Sequence, residues 1–160
     1  MFIKFIAILK MMAKPKYLYH GSKLKLIGNK LIPRKAKDLS DFKVNNQKAV
    51  YATDRKQIAI AMALVNERHI RAGMDFEAKK VQVTIWKGMP RKKYFYLYTL
   101  PIKTFIEKPG GSHQWLSSIS VKPIKIERLK TKDFKKLIRK PAYKEKKEYQ
   151  NKYGAKINLT

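Results

Sequence analysis

The sequence predicts an α+β domain, and three observations carry that reading. Short runs alternate apolar and polar residues at period two, and one longer stretch repeats at helical spacing. A length of 160 residues supplies one real core and is short for two.

The first run, "YLYHGS" (17–22), is strand-like, because aromatic and branched side chains suit a half-buried pleated surface. His20 sits where the strand gives out, and Gly21 frees the backbone to turn or to approach something closely. Residues 24–47 hold a Gly-Asn turn signal, a proline and an Asn-rich stretch, which read as loop. "KAVYAT" (48–53) is a compact buried strand, and Asp54 is placed to cap the helix that follows. In that helix Ile58, Met62 and Val65 share one side with Ala59 and Ala63 beside them, and Gly73 is the expected end. Small alanines let such a helix press close to a sheet.

Farther on, "KVQVTIWKG" and "KYFYLYTLP" both alternate, and Pro109-Gly110-Gly111 marks a turn. "SVKPIKIERL" is a further strand, with Val121, Ile124 and Ile126 on its buried side. Thr131 is placed to cap a short helix carrying Phe134, Leu137 and Ile138, ended by Pro141. From Ala142 the chain is charged, has few apolar anchors and is expected to fray. The organisation read from this is an N-terminal extension (1–14), one domain (15–140) and a basic tail (141–160).

Composition narrows function. No cysteine is present, so disulfides, thiolate chemistry and cysteine zinc sites are excluded. His20, His69 and His113 show no H-x-x-x-H spacing, which argues against a metal site. Net charge is +27, from 38 Lys plus Arg against 11 Asp plus Glu, a field that draws polyanions. The cations are mostly lysine, however, and arginine is the better partner for bidentate phosphate recognition. The charge therefore fits both a nucleic-acid role and a merely solvated surface. The opening "MFIKFIAILKMMAKPK" is broken by Lys4 and Lys10, is too short to span a bilayer, and lacks a small-residue cleavage site. Its Phe2, Phe5, Ile6, Leu9 and Met12 would share a helical face, so a membrane-surface helix competes with a plain peripheral extension, which is favoured. No transmembrane segment or export signal is read, and the cytoplasm is the expected location.

Two short motifs carry a resemblance. "YHGS" (19–22) and "VYAT" (50–53), the latter leading into an alanine-rich helix, resemble the first two motifs of the ADP-ribosyltransferase fold. The closer likeness is to its histidine-tyrosine-glutamate branch, that of diphtheria-toxin-like enzymes and poly(ADP-ribose) polymerases. It spans roughly residues 17–129, and "HQWLSSISVKPI" falls where that fold puts its third motif. The resemblance implies two small, mostly antiparallel sheets, with one main helix after the second motif strand. It implies NAD as substrate and transfer of ADP-ribose to a protein or nucleic-acid acceptor. His20 would bond a ribose hydroxyl, the Gly21 backbone would hold the nicotinamide carboxamide, and Tyr51 would lie against the nicotinamide ring. Ser22 and Thr53 would be wall hydroxyls. His20 and Tyr51 would sit on adjacent strands, with side chains opening into one concave site.

The chain departs from that pattern where the branch has a glutamate, since the nearest residue is Gln114. An amide keeps a hydrogen bond but gives up the negative charge that steadies an oxocarbenium-like sugar. NAD binding with poor transfer is the expectation, and Gln114→Glu is expected to restore turnover. Glu107 and Glu127 are the other carboxylates considered. Where the branch often has a second ring on the helix, this chain has Ala61, Met62 and Ala63. RNA 2′-phosphotransferases share the superfamily but need arginines, of which Arg34 and Arg55 alone lie near the motifs.

Plainer readings stand beside these. His20 and Tyr51 serve equally as a structural histidine and a core aromatic, Trp86 and Trp115 as core, and His69 and His113 as surface residues. The alternative function is a non-catalytic nucleic-acid-binding or assembly protein on the same scaffold. It would bind DNA or RNA through its lysines and the segment 130–156.

Overall fold

The computed structural model describes residues 14–36, 47–108 and 112–157. The N-terminal extension up to residue 13, the Asn-rich part of the first loop and the Pro109-Gly110-Gly111 turn lie outside them. Among the described residues the order is β1 (Tyr17–Ser22), β2 (Arg34–Lys35), β3 (Lys48–Thr53), α1 (Lys56–Val65), β4 (Arg71–Met74), β5 (Val83–Lys87) and β6 (Tyr94–Pro101). There follow β7 (Ile106–Glu107), β8 (Gln114–Ser117), β9 (Lys125–Lys130), β10 (Ile138–Arg139) and α2 (Tyr143–Ile157), with 3-10 turns at Ile102–Thr104 and Thr131–Leu137.

The class is α+β with mostly antiparallel sheets. The larger sheet runs β7-β8-β3-β1-β6-β9, with β2 added against β3, and the smaller runs β10-β5-β4. Every pair is antiparallel except β10 with β5.

Helix α1 lies between the sheets, which explains why it is apolar on more than one side. Ala59, Ile60, Ala63 and Leu64 pack with Phe95 and Leu97 of the larger sheet. Ile58 and Ala61 pack instead with Val81 and Val83 on the side of the smaller one. Met62, expected on the buried side, is 45% exposed. The alanines bring α1 so close that a Cβ on Gly21 would overlap the Ala59 carbonyl oxygen and stand 2.7 Å from the Ala63 Cβ. On the opposite face of the larger sheet, Leu18, Val50, Ala52, Tyr98, Leu100 and Trp115 form a second core. Burying each leucine there stabilises by about 1.5–3 kcal/mol.

Several local expectations are corrected. Asp54 does not cap α1: Arg55 holds the cap position without a side-chain bond, and α1 stops at Val65 while Gly73 lies in β4. Val121 is buried, but Ile124 and Ile126 are exposed, the latter on the edge strand β9. Thr131 donates to the Lys92 carbonyl at 2.6 Å and begins a 3-10 turn, not a capped α-helix, while Ile138 belongs to β10. The tail does not fray at Ala142. Glu145 accepts from the Ala142 N–H at 2.7 Å and binds Arg139 through both oxygens, which holds its carboxyl down to about 2. Farther along α2, Tyr149 stacks on Trp86 with centroids 4.2 Å apart and planes 5° off parallel. Among the described residues no helix is long and apolar enough to cross a membrane.

Candidate functional site

Strand β3 pairs with β8 over four residues, from Val50 with Ser117 to Thr53 with Gln114. Its other edge is divided. β2 takes the beginning, with Arg34 opposite Ala49, and β1 takes the end, with Tyr19 opposite Thr53. Tyr51 falls between the two, and its carbonyl meets the Nδ1 of His20 at 2.7 Å. A carbonyl only accepts, so Nδ1 carries the proton of this bond. Burial lowers the His20 pKa, the Tyr51 bond partly opposes that, and the Arg34 charge lowers it further. The ring is therefore neutral at pH 7, with its proton on Nδ1 and a lone pair on Nε2.

Gly21 turns its backbone toward the same gap in the β1–β3 pairing. The Thr99 carbonyl accepts from Ile124 N–H at 2.8 Å, so Thr99 turns its amide groups toward β9. Tyr19, opposite Thr99, must then turn its own groups toward β3, and Gly21 two residues on does likewise. The glycine is demanded from another direction too, since α1 occupies the space where a side chain would stand. The sequence leaves Gly21 open between a turn and a close approach, and the resemblance implies a ligand; packing against α1 already requires the glycine.

His20 and Tyr51 are on adjacent strands, as expected, but their rings do not share a face. His20 lies opposite Tyr98 with ring centroids 6.1 Å apart, on the face of Leu18, Val50 and Ala52. Strand alternation turns Tyr51 to the other face, and its hydroxyl donates to the Gln47 carbonyl at 2.7 Å. What His20 meets is the Tyr51 backbone, so the expected concave site built from both side chains is corrected to a parted strand edge.

Gln114, opposite Thr53, is on the Tyr51 face, and its Oε1 lies 3.4 Å from Lys108 Nζ. Ser22 Oγ accepts from Leu24 N–H at 3.2 Å and Thr53 Oγ1 from Arg55 N–H at 3.1 Å, so both hydroxyls close turns. Glu107 lies on β7, three strand spacings from β1 or roughly 14 Å away. Glu127 is held by Lys56 at 3.5 Å and Lys125 at 3.2 Å. The structure thus gathers His20, Gly21, Arg34 and the Tyr51 carbonyl, and leaves Gln114 apart from them.

One cluster escaped the sequence reading. Asp54 holds His113 Nδ1 at 2.8 Å and accepts from Trp115 Nε1 at 3.4 Å, while Glu77 lies 3.7 Å from His113 Nε2. His113 adopts φ 56°, uncommon for a residue with a side chain. The two carboxylates sit on opposite nitrogens of one ring and do not converge on a common point. Among the described residues no group of acids and histidines is arranged to hold a metal ion. The cluster anchors the start of β8; its only sequence signal was the aspartate after "VYAT".

Comparison with family models, with curated proteins and with solved structures finds no match for this chain.

Proposed function

We propose that this protein binds NAD in the ADP-ribosyltransferase manner, at the parted edge between β1 and β3, and transfers ADP-ribose poorly. The observation that carries this reading is the His20–Tyr51 carbonyl bond, because it fixes a neutral imidazole with Nε2 as an acceptor. A ribose hydroxyl is a donor of the right kind for that nitrogen. The Gly21 amide supplies backbone polarity for a carboxamide, and Arg34 supplies positive charge for a pyrophosphate. Tyr51 contributes its carbonyl, as the group that orients His20, and its ring is not assigned a stacking role. Transfer to a protein or nucleic-acid acceptor would need charge opposite the developing oxocarbenium, and neither Gln114 nor Glu127 lies on the His20 face.

Calorimetric titration with NAD tests this reading. The wild type is expected to bind and His20→Ala to lose binding, with the fold intact by circular dichroism. If the wild type binds no NAD at millimolar concentration, the scaffold serves another purpose. The second reading, a non-catalytic nucleic-acid-binding protein of the cytoplasm, is favoured by one specific feature. The basic tail is a docked helix that holds Lys144, Lys146 and Lys147 in fixed order, not a loose extension.

A further inference from the structure

A cavity of about 540 Å³ lies where the end of β5 meets the start of α2, remote in sequence from the His20 motif. That volume is within the usual range for small-molecule sites, about 300–1,000 Å³. Four cations line it, Lys87, Arg91, Lys140 and Lys146, together with His69 and Trp86, and no carboxylate is among its lining residues. Lys87 and Arg91 come from one stretch of the chain and Lys140 and Lys146 from another, so their convergence belongs to the fold and not to a run of lysines.

The scaffold beneath is rigid. Gly88 has φ 77°, and a Cβ there would stand 2.6 Å from the His69 carbonyl, so only glycine permits this turn. His69 Nε2 donates to the Met89 carbonyl at 2.8 Å, which leaves Nδ1 3.8 Å from Glu67. Glu67 itself accepts from the Arg91 and Lys92 backbone N–H groups at 2.9 and 3.1 Å. Glu67 therefore fixes the loop that carries Arg91. Glu145, the acid at the start of α2, is held by Arg139. Trp86 is immobilised by its stack on Tyr149.

We infer that this cavity binds the phosphate groups of a nucleotide, either within a single-stranded nucleic acid or as a free polyphosphate. Bringing the like charges of Arg91, Lys140 and Lys146 to one space costs Coulomb energy, which an anion of several negative charges removes. Phosphates are such anions, and Trp86, with one face taken by Tyr149, adds an apolar wall beside them. The inference does not depend on the NAD reading, because no residue is shared.

The test is fluorescence anisotropy of a short labelled oligothymidylate across a salt series, with tripolyphosphate as competitor. Arg91→Ala/Lys146→Ala is expected to weaken binding roughly tenfold or more, and to flatten the log–log salt slope by about 1.4 for two lost contacts on a single strand. Lys30→Ala/Lys122→Ala removes the same charge at exposed positions elsewhere and should change neither by more than about twofold. Equal weakening by both pairs would overturn the proposal in favour of diffuse surface charge, as would absence of any oligonucleotide or tripolyphosphate binding at low salt. Competition by tripolyphosphate at matching phosphate concentration identifies the free anion as ligand; displacement by strands alone identifies nucleic acid. All four substituted positions are exposed, and unchanged melting temperatures would separate lost binding from lost fold.

Discussion

Gly21→Ala is the most informative single change in the larger sheet. The new Cβ would overlap the Ala59 carbonyl oxygen and meet the Ala63 Cβ at 2.7 Å, both on α1. A carbonyl in the middle of a helix cannot rotate away without breaking its own hydrogen bond, so the whole helix must lift. Lifting α1 also loosens Ile60 and Leu64 against Phe95 and Leu97. Overpacking of this kind costs about 1–3 kcal/mol, and the backbone contact places this case at the upper end. For a chain of this size, about 3 kcal/mol corresponds to roughly 6–12 °C in Tm. Thermal melting followed at 222 nm reads the shift. Gly21→Ala/Ala63→Gly should recover only part of it, since the Ala59 carbonyl remains in the way. A loss under about 2 °C for Gly21→Ala would show that α1 does not press on β1 as described.

Three further outcomes follow from the same structure. His20 has a folded pKa below its unfolded value, so its contribution to stability is fully present above about pH 6.5 and is lost as pH falls through the folded pKa. His20→Gln should therefore flatten stability between neutral and mildly acidic pH in urea titrations, and an unchanged profile would refute the buried neutral imidazole. Trp86→Phe should be nearly neutral, because the indole N–H is buried without a hydrogen-bond partner among the described residues, whereas Trp86→Ala should lower helicity by releasing α2, at a cost of about 0.5–1.5 kcal/mol from the stack alone. Gln114→Glu should leave NAD turnover low, because Gln114 lies on the Tyr51 face; a large gain would restore the third-motif assignment suggested by sequence.

The strands were legible because their signal is local. Tyr17–Ser22, Lys48–Thr53 and Tyr94–Pro101 all fall within stretches that alternate or run apolar in the sequence. The limits of α1 were not legible, because burial between two sheets makes it apolar well beyond one stripe, and the pattern gave no edge. Asp54 looked like a cap by position; its real partners, His113 and Trp115, are about sixty residues away and become neighbours only through the β3–β8 pairing. The same limit applied to the tail, whose charged composition hid the stack of Tyr149 on Trp86 that docks it. At the candidate site, His20 and Gly21 could be singled out from "YHGS", but the division of the β3 edge between β1 and β2 could not. That division brings Arg34 to the site and sets the Tyr51 carbonyl against His20, while strand alternation turns the Tyr51 ring away.

Long-range 1H–15N correlation spectra of the imidazoles show whether NAD is received by a neutral His20 with Nε2 as the acceptor. Only three histidines are present, so assignment through single substitutions is direct. His20 is expected to carry its proton on Nδ1 at pH 7, and its Nε2 resonance to move on NAD addition while those of His69 and His113 stay in place. A His20 protonated on Nε2, or one unmoved at saturating NAD, would contradict this expectation.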